Sequence, residues 1–353
     1  MPLQRFMLMK MRSPLGADET IDSRRAAIRA DLDEHFFHVN PALHFENRLW
    51  SIISRTDGSA GKEPEWSSDP TSLFVRFRRL VEEMPFSDDE SPEDEVSKEA
   101  LAALEAHALM HHVLETALRL FVVLSELEAG ESPWIPLAEL PANYRFRAKV
   151  KSLLQGPEAA ETAARVAIPH YEQLVAAVGE EPALSHAQFV CQWLMFFAEL
   201  FDHDGYNGAQ SHNQMKHGMA AIARNDVKWT FVEGFNDPSA PTVAELNGGY
   251  DVINAVSITY LTKVKAEVKG GEDGWSLRTD NADPSLCLAI SQVGICVVRS
   301  LWQVSRMLAL PGTEQEYEYN GSPLPEAVFR RSNSGFQAIS RELIPPSAAS
   351  SSM

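Results

Sequence analysis

A long apolar segment in the first half of the chain decides the fold predicted for it. Residues 97–128 read SKEALAALEAHALMHHVLETALRLFVVLSELE, and their apolar side chains recur every three or four positions, as on one face of a helix. Gly130 and Pro133 follow where such a helix should end. At about 1.5 Å per residue, the predicted helix is roughly 45 Å long.

Other segments with helical spacing lie on both sides of this one. Their predicted bounds are 22–37, 45–55, 71–83, 142–155, 158–178, 185–203, 208–224, 250–268 and 285–309. Because the connections between the central helices are short, we predict a mainly α fold, an up-and-down helical bundle with helical extensions at both ends. At most two short strands are expected, at 228–232 and 275–279.

A strongly acidic stretch separates the first helices from the long one. Residues 88–99 hold seven acidic side chains and one lysine, with a serine and a proline among them, which is typical of a solvated linker. We therefore divide the chain into five segments. They are an N-terminal helical region 1–86, an acidic linker 87–99, a central helical bundle 100–226, a C-terminal helical region 227–344 and a disordered tail 345–353.

The overall composition limits the classes of partner. The 353 residues include 31 basic and 49 acidic side chains, and the net charge of −18 disfavours a broad surface for duplex DNA. The three cysteines lie in apolar runs without paired spacing, as is typical of reduced thiols inside cells. The first residues lack the apolar stretch of a secretory signal, and the most apolar run, 286–298, is too short for a membrane span. We therefore expect a cytoplasmic protein that does not bind a membrane.

One polar segment, residues 203–217, carries most of the chemistry that the sequence offers. Its last twelve residues hold two histidines, four side-chain amides, one lysine and one tyrosine, directly after an apolar helix. Neutral imidazole acts as an acid or a base near pH 7, and a neighbouring lysine lowers its pKa. Lysine and amide groups can also hold a phosphate or a developing oxyanion. The alternative interpretation is a hydrogen-bonded polar helix start.

Helical spacing indicates which side chains of this segment would lie on the same helix face. Asn213 and His217 would share one face, and His212 and Lys216 would form a parallel pair. The predicted catalytic residues are His212, Asn213, Lys216 and His217, and the predicted ligand-binding residues are His203, Tyr206 and Asn207.

The motif Asn213-x-x-Lys216-His217-Gly218, entering a helix after a long apolar helix, resembles variants found in HEPN-like helical bundles. The resemblance covers roughly residues 97–224. It implies a bundle of four or five helices, often dimeric, of the kind found among nucleotide- and RNA-binding proteins and ribonucleases. In the catalytic form of that family, four to six residues separate an arginine from the histidine that follows it. Here those positions hold Gln210, Ser211 and His212, so the resemblance implies an RNA- or nucleotide-directed module and leaves catalysis open.

Two further function classes remain open. In the first, the chain is a non-enzymatic protein, with a protein partner or a second copy of itself, and the polar segment is a buried hydrogen-bond network. In the second it is a metal-dependent helical enzyme, because His107, His111 and Glu115 are spaced by four on one helix face, as are Glu199 and His203 on a later helix. The sequence contains no GxGxxG, GxxxxGK[ST], GxSxG or HExxH motif, so we expect no cofactor.

Overall fold

The structure is a computed structural model. It describes residues 21–56, 92–127, 132–140, 144–154, 158–167, 175–176, 179–202, 214–215, 221–224, 229–231, 250–253, 256–266, 273–281, 283–310, 321, 323–329 and 338–344. The helices in these ranges are α1 Ile21–Phe36, α2 Pro41–Thr56, α3 Pro92–Glu126, α4 Trp134–Glu139, α5 Tyr144–Leu154, α6 Ala159–Ala167, α7 Glu180–Asp202, α8 Pro284–Ala309 and α9 Pro325–Phe329. The strands are β1 Ala221–Arg224, β2 Trp229–Phe231, β3 Tyr250–Ile253, β4 Ser257–Val264, β5 Gly274–Asn281 and β6 Ala338–Ile344. The described part of the chain is therefore mainly helical, as predicted.

The long helix α3 is the centre of the core. It packs most extensively against α8 and also contacts α2, α6 and α7. At Gly294 of α8 a Cβ atom would lie only 2.5 Å from Cγ1 of Val113 and 3.4 Å from Cζ of Phe197. The absence of a side chain at Gly294 thus allows α8 to pack closely against both α3 and α7.

One hydrophobic core joins helices from several of the predicted segments. Leu49 of α2, Leu114 of α3, Phe197 of α7 and Leu301 of α8 belong to the same cluster, and all four side chains are buried. The core therefore crosses the predicted segment boundaries at 86 and 226. The division of the chain into five segments stays a prediction.

The acidic stretch is in part helical. Its residues from Pro92 onward form the start of α3, and the residues before Pro92 lie outside the described ranges. Proline is favoured in the first turn of a helix, and so are acidic residues, because of the positive end of the helix dipole. These local preferences explain why a composition typical of a linker can begin a helix.

The strands form two antiparallel sheets. One has four strands in the order β1-β4-β5-β6, and β2 and β3 form the other. In the larger sheet Tyr260 of β4 lies between Ala221 of β1 and Arg278 of β5. This sheet packs against the beginning of α3, where Leu104 contacts the cluster of Ala221, Ile258 and Tyr260.

The expectation of at most two short strands was wrong, since six occur among the described residues. The segment predicted as a helix at 250–268 contains β3 and β4, and residues 221–224, predicted as a helix end, form β1. Valines spaced by four suggested a helix, but the stretch is rich in Val, Ile, Thr and Tyr, which favour strands. Residues 256–260 are all buried, so this stretch lacks the alternation of apolar and polar side chains that identifies a strand.

The other predicted elements that can be compared are confirmed, with shifts at their ends. The strands expected at 228–232 and 275–279 correspond to β2 and β5. The helix expected at 158–178 is described as α6 only to Ala167, and the one expected at 185–203 begins five residues earlier, at Glu180. The predicted helix 71–83 and tail 345–353 fall outside the ranges that the structure describes.

Among the residues that the structure describes, two helices are long and apolar enough to cross a membrane by length and composition. They are Ala100–Glu126 within α3 and Pro284–Met307 within α8, and 67% of the apolar window of each is buried inside the protein. A helix that is covered by neighbouring helices is apolar over much of its surface, and it therefore satisfies the same criteria of length and composition.

The start of α8 has a well-formed cap, which gives a first prediction. Asp283 accepts hydrogen bonds from the backbone N–H groups of Ser285 (2.9 Å) and Leu286 (3.1 Å), and Pro284 occupies the first helical position. Asp283→Ala should lower the free energy of unfolding by about 1 kcal/mol, measured by urea denaturation. Ser285→Ala, at an exposed neighbour, is the control. Equal stability of the two variants would show that the cap contributes nothing.

Candidate functional site

The structure describes the residues just before the polar segment and two residues within it. His203, Tyr206, Asn207, His212, Asn213, Lys216 and His217 all lie outside the described residues. Within residues 203–217 only Gln214 and Met215 are described. The predicted roles of these seven residues therefore stay predictions, and Phe201 and Met215 are described residues close to them in the chain.

The end of α7, just before the polar segment, is linked to the second half of α3 through α5. Phe201, two residues before it, is buried, and its ring centroid lies 5.7 Å from that of Phe146 of α5 in an edge-to-face contact. The guanidinium carbon of Arg119 of α3 lies 5.0 Å from the Phe146 ring centroid. Aromatic and cation–π contacts thus place the end of α7 at the level of Arg119.

Met215, within the polar segment, lies near the first half of α3. Met215 packs against the buried cluster of Ala221, Ile258 and Tyr260, where Leu104 of α3 also packs. Leu104 and Arg119 are about 22 Å apart along the helix axis, given a rise of about 1.5 Å per residue. Phe201 and Met215 are therefore linked, through the residues that they contact, to parts of α3 that are well separated along its axis.

Two of the predicted metal ligands do lie together. His107 and His111 of α3 are both buried, with ring centroids 4.6 Å apart. They follow Ala103, which contacts Val256 at the start of β4, by one and two helical turns, so they continue the face of α3 that meets the sheet. Burial lowers the pKa of His107 from 6.5 to about 3, so this imidazole is neutral near pH 7.

The third predicted metal ligand, Glu115, is paired with an arginine. Glu115 accepts from Nε of Arg119 at 2.9 Å and from its Nη2 at 2.8 Å, one turn further along α3. Among the described residues, no group of three His, Cys, Asp or Glu side chains is placed to hold a metal ion. His112, next to the pair, accepts a hydrogen bond from Nη1 of Arg48 (2.9 Å). The described geometry thus gives the metal triad no support.

The buried His107 leads to a prediction on pH. The unfolded chain takes up a proton at this residue below about pH 6.5, whereas the folded protein resists protonation down to about pH 3. The stability that His107 contributes is therefore present above pH 6.5 and is lost as the pH falls, by about 1.4 kcal/mol per pH unit. Urea denaturation at pH 6.5 and pH 5 should show a loss about 2 kcal/mol larger for the natural protein than for His107→Gln.

The control for this experiment is His38→Ala, because His38 is exposed. This variant should keep the pH dependence of the natural protein. If His107→Gln and the natural protein lose the same stability between the two pH values, His107 is not held neutral by burial.

The sequence analysis missed a buried polar cluster in the larger sheet. The hydroxyl of Tyr260 donates to Oδ2 of Asp280 (2.8 Å), and Nε of Arg278 donates to Oδ1 of the same carboxylate (3.0 Å). Asp280 has no exposed surface. Burial, and next the Asp280 carboxylate, raise the pKa of Tyr260, so the tyrosine stays a hydrogen-bond donor rather than a base.

This cluster lies next to the end of the polar segment, since Tyr260 is one of the residues that Met215 packs against. No spacing pattern in the sequence identifies it. Tyr260 and Asp280 are brought together only by the register of β4 with β5, which pairs Tyr260 with Arg278 and Ile258 with Asp280.

A cavity of about 260 Å³ lies at the other end of α3 and is separate from these residues. It is lined by Val123, Glu126, Leu127, Pro136, Glu139, Leu140 and Lys149. Nζ of Lys149 donates to Oε2 of Glu126 at 2.5 Å, so the two charged groups bind each other. None of the predicted site residues lines this cavity.

Comparison with family models, with curated proteins and with solved structures found no match to this chain. The HEPN-like resemblance therefore rests on the motif Asn213-x-x-Lys216-His217-Gly218 and on the order of the helices. Function has to be inferred from the chemistry of the polar segment and the contacts at its two ends.

Proposed function

We propose that this protein is a HEPN-like helical module that binds RNA or a nucleotide through the polar segment. In this proposal Lys216 and His217 contact phosphate, and Asn213 and Tyr206 orient them. The module acts in the cytoplasm, and its central helices have the up-and-down order of that family. Catalysis stays open because the arginine of the catalytic form is absent from positions 210–212.

The observation that carries the proposal is the packing of Met215 at the junction of α3 and the sheet. Lys216 and His217 follow Met215 directly in the chain, and consecutive Cα atoms are about 3.8 Å apart. Covalent connectivity therefore keeps both residues within about 8 Å of Met215. This supports a location beside ordered secondary structure, where a phosphate-binding group can be held in position.

The test compares RNA binding and RNA cleavage by the purified protein and its His217→Ala variant. Loss of the imidazole should weaken the binding of a labelled single-stranded RNA by about tenfold, and should abolish any cleavage. His38→Ala removes an exposed histidine elsewhere and should leave both unchanged. Unchanged binding and unchanged cleavage in His217→Ala would rule out the proposed site.

A second candidate function, self-association without catalysis, is favoured by one face of α2. Leu43 and Trp50 are seven residues apart, so they share a helix face, and they are 50% and 61% exposed. Exposed tryptophan side chains are typical anchors of protein interfaces. In this candidate a second copy of the chain covers the face.

Trp50→Ser tests this candidate. If α2 forms a homodimer interface, the variant should be a monomer at concentrations where the natural protein is a dimer, as measured by light scattering after gel filtration. Ile222→Ser removes a side chain of similar exposure (60%) from β1 and should leave the dimer intact. A natural protein that is monomeric throughout contradicts the candidate.

A further inference from the structure

The larger sheet has one face that is turned away from α3. Its other face packs against α3 through the cluster of Ala221, Ile258 and Tyr260. Because successive side chains of a strand point to opposite sides of the sheet, the sequence neighbours of these residues lie on the face turned away, here called the outer face. Ile222 of β1 and Leu261 of β4 belong to the outer face and are 60% and 44% exposed.

The strand register shows which side chains are neighbours on the outer face. β4 and β5 pair Leu261 with Leu277 and Lys263 with Trp275. Ile222 lies diagonally across from Leu261, since it pairs with the residue two positions earlier in β4. Nζ of Lys263 lies 5.7 Å from the ring centroid of Trp275, in a cation–π contact. Aliphatic side chains, an aromatic ring and a cation are therefore adjacent on this face.

The charged side chains of the outer face are cationic, although the whole chain has a net charge of −18. Arg224 of β1 and Lys263 of β4 are both exposed. Asp280 of β5 lies on the opposite face, where the register pairs it with a core residue of β4. Asp273, which precedes β5, is bound by Lys265 at 2.9 Å. The outer face of β1, β4 and β5 thus carries no carboxylate and is complementary to an anionic ligand.

The spacing of the two cations indicates an extended ligand. Arg224 pairs with residue 257, six positions before Lys263 on β4, so the two positions are about 20 Å apart along the strands. A mononucleotide is too short to contact both, whereas a strand with several phosphates can. Peptides typically bind in grooves or at sheet edges, but unpaired bases stack on exposed aromatic side chains beside basic groups.

We propose that the outer face binds single-stranded RNA, with bases packed on Trp275 and Leu261 and phosphates bound by Lys263 and Arg224. The inference goes beyond the proposed function, since it involves none of the residues of the polar segment. Only the choice of RNA over DNA rests on the proposed function. Duplex RNA should bind more weakly than a single strand, because its bases are already stacked on one another.

The experiment measures the binding of fluorescein-labelled single-stranded oligouridylate by anisotropy at several salt concentrations. Leu261→Glu places a carboxylate in the middle of the outer face and should weaken binding by about tenfold or more. Leu184→Glu is the matched control, because it makes the same change at a side chain of similar exposure (48%) on α7. It should change binding by less than twofold.

A second pair of variants tests the phosphate contact. Lys263→Ala should weaken binding by about threefold and make the slope of log K against log salt shallower by about 0.7, the value for one phosphate contact on a single strand. Lys149→Ala removes the same charge from α5, where Glu126 already binds it, and should keep the slope. Melting temperatures confirm that each variant is folded.

Equal binding by Leu261→Glu and Leu184→Glu, or an unchanged slope in Lys263→Ala, overturns the inference. The proposed function then still stands, provided that His217→Ala binds weakly. If instead Leu261→Glu binds weakly and His217→Ala binds normally, the outer face is supported and the polar segment is not. A natural protein that binds no RNA overturns both. Phosphatidylserine vesicles that bind the natural protein but not Leu261→Glu, without RNA binding, would identify a membrane surface instead.

Discussion

Asp280→Ala should lower the free energy of unfolding by about 3–5 kcal/mol, the largest loss expected from a single substitution in this protein. Asp280 has no exposed surface, and its carboxylate accepts hydrogen bonds from Tyr260 and Arg278. Removing it leaves the Arg278 guanidinium, whose side chain is only 15% exposed, without this counter-charge. Water cannot replace the carboxylate at a buried position as it does at the surface. Urea denaturation at pH 7 measures the effect.

A matched control is available in the same sheet. Asp273, next to the opposite end of β5, accepts a hydrogen bond from Lys265, whose side chain is 82% exposed. Asp273→Ala should have a much smaller effect, because solvent compensates for the lost ion pair. Tyr260→Phe removes only the hydroxyl and should cost about 1.5–3 kcal/mol, less than Asp280→Ala. If Asp280→Ala is no less stable than Asp273→Ala, the buried cluster does not hold the sheet together.

Gly294→Val should destabilise the protein by about 3 kcal/mol, at the upper end of the range for overpacked cores. Even the Cβ atom would lie 2.5 Å from Cγ1 of Val113, which has no exposed surface and whose branched side chain has one preferred rotamer on a helix. Replacing glycine inside a helix normally stabilises it by about 0.5–1 kcal/mol, so the steric term has to outweigh this gain. Thermal and urea denaturation should both show the loss.

The double variant Gly294→Val with Val113→Ala tests the cause. Val113→Ala removes methyl groups from α3 at the point where Gly294→Val adds them from α8, so the clash is relieved. The double variant should therefore be more stable than the sum of the two single effects predicts, by about 1 kcal/mol or more. Gln292→Ala, at an exposed position two residues away on α8, should change stability by less than about 0.5 kcal/mol. Additive single effects would falsify close packing of α8 on α3 at Gly294.

The helices could be predicted because each has an apolar face with regular spacing. α3 and α8 follow their predicted ranges to within a few residues, since one stripe of each contacts the core. The strands could not be found in this way, because β4 is buried on both faces at its start and becomes alternating only after Tyr260. A buried strand and a helix segment then have the same sequence pattern.

The candidate site could be predicted only in part. The polar composition of residues 203–217 is visible in the sequence, but the packing of Met215 beside Tyr260 depends on long-range contacts. The same holds for the outer face of the larger sheet, since the spacing of residues 250–268 predicts a helix. Lys263 and Trp275 meet only through the register of β4 with β5, which no local spacing specifies.

The three-dimensional structure also shows how the charged side chains are paired. Many basic side chains are paired with acids, as in Arg119–Glu115, Lys149–Glu126 and Arg299–Glu46. A net charge of −18 therefore coexists with an outer sheet face whose charged side chains, Arg224 and Lys263, are both cationic. Weak non-specific binding of duplex DNA and specific binding of a short single strand are compatible in such a protein.

The most direct test of the central claim is to locate bound RNA on the protein. Single-stranded RNA containing 4-thiouridine is crosslinked to the natural protein by ultraviolet light, and the modified residues are identified by mass spectrometry. We expect crosslinks within residues 203–217, and expect them to disappear in His217→Ala while persisting in His38→Ala. Crosslinks confined to other parts of the chain, or none above background, would contradict an RNA-binding role for the polar segment.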